Sequence, residues 1–173
     1  MWTRLTRVLK HRWQSDEAAQ RAIPPALLER LAAQVAKSET GHSGEIRIFV
    51  EAGLPLSYLW RPDSTAQITR ERALSLFGKL RVWDTAHNNG VLIYLLLAEH
   101  RIEIVADRGL NMRVASDTWP RLVSDMSAAF KAEDYEGGLT QAVQQVTHLL
   151  LQHFALQGGQ SNPNELPNTP VLN

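Results

Sequence analysis

Apolar positions along the chain switch between two periods. Residues 45–51 (EIRIFVE) alternate, with Ile46, Ile48 and Val50 on one side, and predict a strand. Residues 90–97 are apolar on every face and predict a central strand covered by helices on both sides. Residues 98–100 turn the chain, and residues 101–106 (RIEIVA) return as a hairpin partner. Elsewhere the period is helical. Pro24 and Pro25 open a helix with Leu27, Leu28, Leu31 and Val35 on one face, closed by Gly41. Ser64, with Gln67 three residues on, reads as a capping box for a helix to residue 80 that turns Ile68, Ala73, Leu76, Phe77 and Leu80 inward. Two further helices are predicted over residues 120–131 (Leu122, Val123, Met126, Phe130) and 135–154 (Leu139, Val143, Val146, Leu150, Phe154). Residues 54–62 contain two prolines and read as a loop. The order predicts an α/β fold, a small mixed β-sheet sandwiched between helical layers (α/β/α).

The ends differ from this body, which spans residues 22–156. From Met1, residues 1–13 carry Arg4, Arg7, Lys10 and Arg12 with no acid, and Trp2, Leu5, Leu9 and Trp13 recur at helical spacing. Such a basic amphipathic helix suits either an anionic membrane surface or docking on the domain. Residues 14–21 form a polar connector. Residues 157–173 are rich in Gly, Asn, Gln and Pro and predict a disordered C-terminal tail.

Charge and composition narrow the classes. Eighteen basic and eighteen acidic side chains cancel, so no basic footprint supports nucleic-acid binding. The absence of cysteine removes disulfide scaffolds, zinc ribbons and thiol nucleophiles. The longest apolar run is far short of the ~20 residues of a membrane span, and no secretory signal precedes the body. A soluble, cytoplasmic protein is expected, peripheral at most on the inner face of the cytoplasmic membrane. The sequence contains no G-x-S-x-G, Walker A, G-x-G-x-x-G or H-E-x-x-H motif.

Candidate chemistry follows from the topology. If the strands at 46–50 and 91–97 run parallel through a crossover helix, three loops share one rim of the sheet. These are residues 41–44 (GHSG), 84–90 (DTAHNNG) and 107–111 (DRGLN). Asp84, Asn88 and Asp107 offer hard oxygen donors of the kind that calcium or another divalent cation takes. His42 or His87 beside a carboxylate suits acid–base work, and Arg108 suits a phosphate. Ser43 is the one candidate nucleophile. Asp and Asn are equally good turn residues, so the same loops read as plain turn chemistry.

The run NNGVLIYLLLAEHRIEIVADRGLN (88–111), followed by AEDYEGGLTQAV (132–143), resembles the TPM domain family. The resemblance implies an α/β/α sandwich. Relatives in that family include a thylakoid-lumen protein implicated in photosystem II repair, with acid phosphatase activity and bound calcium. Others are receptor accessories, and bacterial members often accompany LemA-type membrane proteins. It carries the acid before NGVL to Asp84, the glycine-leucine turn to Gly109 and Leu110, and a later acid to Asp134. Where relatives have an acid after that turn this chain has Asn111, one carboxylate fewer for a divalent site, and the glycine-rich entry has become Ala106, Asp107 and Arg108. Without the family's export signal and tether, a cytoplasmic bacterial branch is implied. The expected function is an accessory or interaction module for membrane-associated partners, held near the membrane by residues 1–13. The alternative is a weak metal-assisted acid phosphatase at the Asp84/Asp107 rim.

Overall fold

The computed structural model describes residues 2–12 and 16–173. The expectations for Trp13, and for the side chains of Trp2, Arg4, Leu5 and Arg12, lie outside the described residues. Helices α1 (Trp2–Arg12), α2 (Asp16–Ala22) and α3 (Pro25–Glu39) precede strand β1 (Ile46–Glu51). A short α4 (Leu56–Leu59) and the crossover helix α5 (Thr65–Lys79) lead to β2 (Val91–Leu96), and β3 (Arg101–Ala106) returns beside it. Then come α6 (Arg108–Asn111), α7 (Thr118–Lys131), α8 (Tyr135–Phe154) and β4 (Val171–Leu172).

The sheet order is β3-β2-β1-β4. β1 and β2 are parallel with Ile46 opposite Val91, and β2 and β3 are antiparallel with Val91 opposite Ala106. Alternation along β2 divides the core as its double apolar face requires. Val91, Ile93 and Leu95 pack with α3, α7 and α8. Leu92, Tyr94 and Leu96 pack with Ile68, Ala73 and Leu76 of α5. The α5 capping box forms, with the Gln67 N–H donating to Ser64 Oγ and the Ser64 N–H to Gln67 Oε1. No helix among the described residues is long and apolar enough to cross a membrane.

The α5 layer also buries a charge. Glu51, fully buried at the end of β1, accepts from Arg72 Nε at 3.0 Å and from the Tyr94 hydroxyl at 2.7 Å, and its other oxygen pairs with Arg72 Nη2. Burial, with the Glu51 charge alongside, pushes the Tyr94 hydroxyl far up, so it stays a donor.

Two departures from the sequence pattern matter. The polar connector forms α2, and the loop at 54–62 holds the single turn α4. More consequential is residues 157–173, which are ordered rather than a loose tail. Val171 and Leu172 add a parallel strand to β1, and Asn173 exchanges backbone bonds with Val50 and Ala52 at 2.9 and 2.8 Å. The physical reason is polar satisfaction more than apolar burial. The tail answers Glu45 through the Leu166 N–H at 3.1 Å and Asn162 Nδ2 at 3.2 Å, and supplies the Thr169 carbonyl to Arg47 at 2.7 Å. Leu166 is the apolar plug, 8% exposed against the α5 layer. Three prolines, Pro163, Pro167 and Pro170, restrict the unfolded segment and lower its ordering cost.

Candidate functional site

The parallel pairing of β1 and β2 brings the three loops to one rim. Asn89 Nδ2 donates to Ser43 Oγ at 3.2 Å, joining the first loop to the second. The Gly109 N–H donates to the Asn88 carbonyl at 2.8 Å, and the Asp107 N–H to Gly90 at 2.9 Å, joining the third. Gly109 is required by this closeness, since a Cβ there would stand 2.6 Å from the His87 carbonyl oxygen. Asn88 takes a left-handed φ of 51°, a conformation that Asn tolerates.

The rim treats its candidate residues differently. His42 is fully buried. Its Nδ1–H donates to the Gly44 carbonyl at 3.1 Å, and Nε2 accepts from Ser38 Oγ at 2.7 Å. Desolvation lowers its pKa and keeps the ring neutral, so it acts as a structural pin between α3 and the strand entry. His87 is exposed and lines a cleft of about 500 Å³ with Ser43, Arg113, Phe154, Asn162 and Glu165. Asp84 is exposed and ion-paired to Arg81. Asp107 caps α6, its Oδ1 accepting from the Arg108 N–H at 2.6 Å. Asn111, where relatives carry an acid, accepts from Trp119 Nε1 at 2.9 Å. The Arg108 side chain is exposed.

The donors can be tested against a divalent cation. Asp107 Oδ2 and Asn89 Oδ1 are buried oxygens without a hydrogen-bond partner, which suits a hard cation. Asn88 lends its carbonyl to Gly109, and Asp84 is engaged by Arg81. Among the described residues, no three His, Asp or Glu side chains group closely enough to hold a metal. The rim thus offers a cation the unpartnered oxygens of Asp107 and Asn89, two donors where calcium takes six to eight.

Sequence reasoning missed the far wall of the cleft, which Asn162 and Glu165 of the tail supply. It also missed two buried acids behind it, Glu39 and Glu45. Glu39 had a signal. Leu27, Leu31, Val35 and Glu39 follow one another at four-residue spacing, so an acid occupies the next inward position of α3.

With this geometry in hand, comparison with known proteins gives a consistent picture. The TPM domain model matches residues 18–149. The chain belongs to the TPM domain family. The NMR structure of the BA42 protein from the psychrophilic bacterium Bizionia argentinensis matches with a TM-score of 0.70 and 24% identity, covering 87% of this chain and 95% of that one. The solution structure of the N-terminal domain of a P. gingivalis protein matches with a TM-score of 0.55 and 22% identity, covering 77% and 81%. At these identities the likeness shows the TPM fold alone. No curated protein matches the chain.

Proposed function

We propose that this TPM domain is an accessory module that α1 holds at an anionic membrane surface, where it meets membrane-associated partners. The observation that carries the reading is the face by which α1 docks. Arg7 donates to the carbonyls of Arg61 and Asp63 at 3.3 and 3.0 Å. His11 is 4% exposed and accepts from the Leu54 N–H through Nδ1 at 3.0 Å, so the hydrogen on Nε2 donates to Glu99 at 2.9 Å. Val8 packs against the α5 layer. Leu9 lies roughly 160° round the helix from His11 and is 61% exposed. The helix thus docks by the edge that carries Arg7, Val8 and His11 and leaves Leu9 outward. Arg7 and Lys10 are spent partly on docking, since Lys10 pairs with Glu99 at 2.8 Å.

Sedimentation with anionic and neutral vesicles at low salt tests this. The full chain is expected to sediment with anionic vesicles, and Leu9→Glu, which leaves the docked edge intact, to reduce that binding at least several-fold. Equal sedimentation of the two forms contradicts the reading.

A second reading, a weak metal-assisted phosphatase, is favoured by one observation. The exposed Arg108 stands next to Asp107, whose buried Oδ2 lacks a partner. A bound cation would supply charge neutralisation there, Asp107 would hold it and Arg108 would hold a phosphate oxygen. Phosphate release that survives repurification, and that Arg108→Ala removes with melting temperature unchanged, would favour this reading over the first.

A further inference from the structure

A second cavity, open to solvent and of about 400 Å³, lies between α3 and the tail, lined by Glu39, Thr40, Ser161, Asn162, Asn164 and Asn168 among others. Glu39 is 6% exposed. Its Oε1 accepts from the Ile46 N–H at 2.9 Å, while Oε2 is buried with no hydrogen-bond partner. Asn168 Oδ1, on the same cavity's wall, is also buried without a partner. The Asn168 amide eases the Glu39 charge, yet no well-formed hydrogen bond reaches Oε2. Two residues that line one cavity therefore each keep a buried acceptor oxygen without a hydrogen-bond partner. Each such buried group costs free energy unless something answers it.

The surrounding charge says what kind of donor fits. Glu45, just before β1, adds a second buried acid, and the exposed Glu165 of the tail adds negative charge beside Glu45. Of the neighbouring cations, Arg47 of β1 is spent on the Pro167 and Thr169 carbonyls, and Lys37 on α3 is exposed. His42 is held neutral. A neutral donor would leave the Glu39 charge uncompensated. Calcium asks for six to eight oxygens, but both oxygens of Glu45 already accept from Asn162 and Leu166. A group carrying one positive charge and several N–H donors answers both orphaned oxygens at once, and the cavity has room for a carbon chain behind it.

We propose that this cavity binds a primary ammonium group, carried by a small amine or a lysine side chain, with Glu39 Oε2 and Asn168 Oδ1 as its acceptors. Burial raises the Glu39 pKa to about 7, with Glu45 adding to the rise, so the proton and the ammonium compete for the same oxygen. With the amine itself protonated throughout, affinity should fall about tenfold from pH 8 to pH 6 as Glu39 takes up its proton.

Calorimetry on the full chain tests the proposal with n-butylamine, with Nα-acetyl-lysine N-methylamide, whose ε-ammonium is free, as the lysine source, and with 1-butanol and calcium as controls. Saturable millimolar binding of either amine at pH 8, absent for butanol, lost in Glu39→Gln and weakened about tenfold in Asn168→Ala, supports it. Asn168 lies on the tail's partly exposed side and keeps the test usable if Glu39→Gln does not fold. The comparison of the two amines tells a free amine from a lysine side chain. No saturation at amine concentrations on the order of 0.1 M overturns the proposal. So does binding unchanged in Asn168→Ala, or calcium binding that depends on Glu39.

Discussion

The two ends of β1 each bury a carboxylate, and they differ in how it is answered. At the C-terminal end Glu51 receives Arg72 on both oxygens and the Tyr94 hydroxyl on one. At the N-terminal end Glu39 receives one backbone N–H and leaves Oε2 bare. A closed network of this kind serves the fold, because its charge is compensated and every oxygen has a partner. An open one leaves free energy to be recovered by whatever supplies the missing donor. The difference separates a structural acid from a candidate site more sharply than sequence position does.

Breaking the closed network should have the largest effect. Arg72→Ala leaves Glu51 buried without its counter-charge, and is expected to cost about 3–5 kcal/mol, lowering the melting temperature by roughly 10 °C or more. Glu51→Leu combined with Arg72→Met should recover most of the loss. A cost near zero for Arg72→Ala in denaturant unfolding would remove the contrast.

The open network should show in the pH dependence of stability. Glu39 has a folded-state pKa of about 7 against an ordinary value near 4.5, so the folded state binds the extra proton. Its contribution is fully present below about pH 4.5 and is lost as pH rises through 7, on the order of 3 kcal/mol in all. Glu45 is shifted the same way by burial and adds to the slope. Urea unfolding between pH 5 and pH 8 should show stability falling with pH, and Glu39→Gln should flatten the curve.

The tail supplies a smaller test. Leu166→Ala is expected to cost about 2 kcal/mol and to open residues 157–173 to proteolysis while the sheet of β1, β2 and β3 stays protected. Smallest of all, Leu9→Glu should change stability by less than about 0.5 kcal/mol, because Leu9 is exposed and outside the docked edge of α1. A larger loss would mean that the stripe packs on the domain.

Periodicity explains what was legible in the sequence. The alternation of Ile46, Ile48 and Val50, the two-sided apolar run of β2 and the Ser64 capping box are local signals, and each corresponds to an observed element. The rim followed because parallel pairing of β1 and β2 fixes which loops meet. The tail was not legible, since its order comes from answering Glu45 and Arg47, charges more than a hundred residues away in sequence. His42 was visible as a titratable loop residue, but Ser38 and Gly44 occupy both ring nitrogens, and nothing local in GHSG reveals that. Glu39 continues the inward stripe of Leu27, Leu31 and Val35, but a glutamate by residue type reads as surface.

The most direct test of the contrast is a titration of the full chain with n-butylamine at pH 8, followed by NMR of backbone and side-chain amides. Shifts that saturate at Asn168, Asn162 and the Ile46 amide, with the surroundings of Glu51, Arg72 and Tyr94 unmoved, are the predicted result. Shifts around Glu51, or none at Asn168, would contradict it.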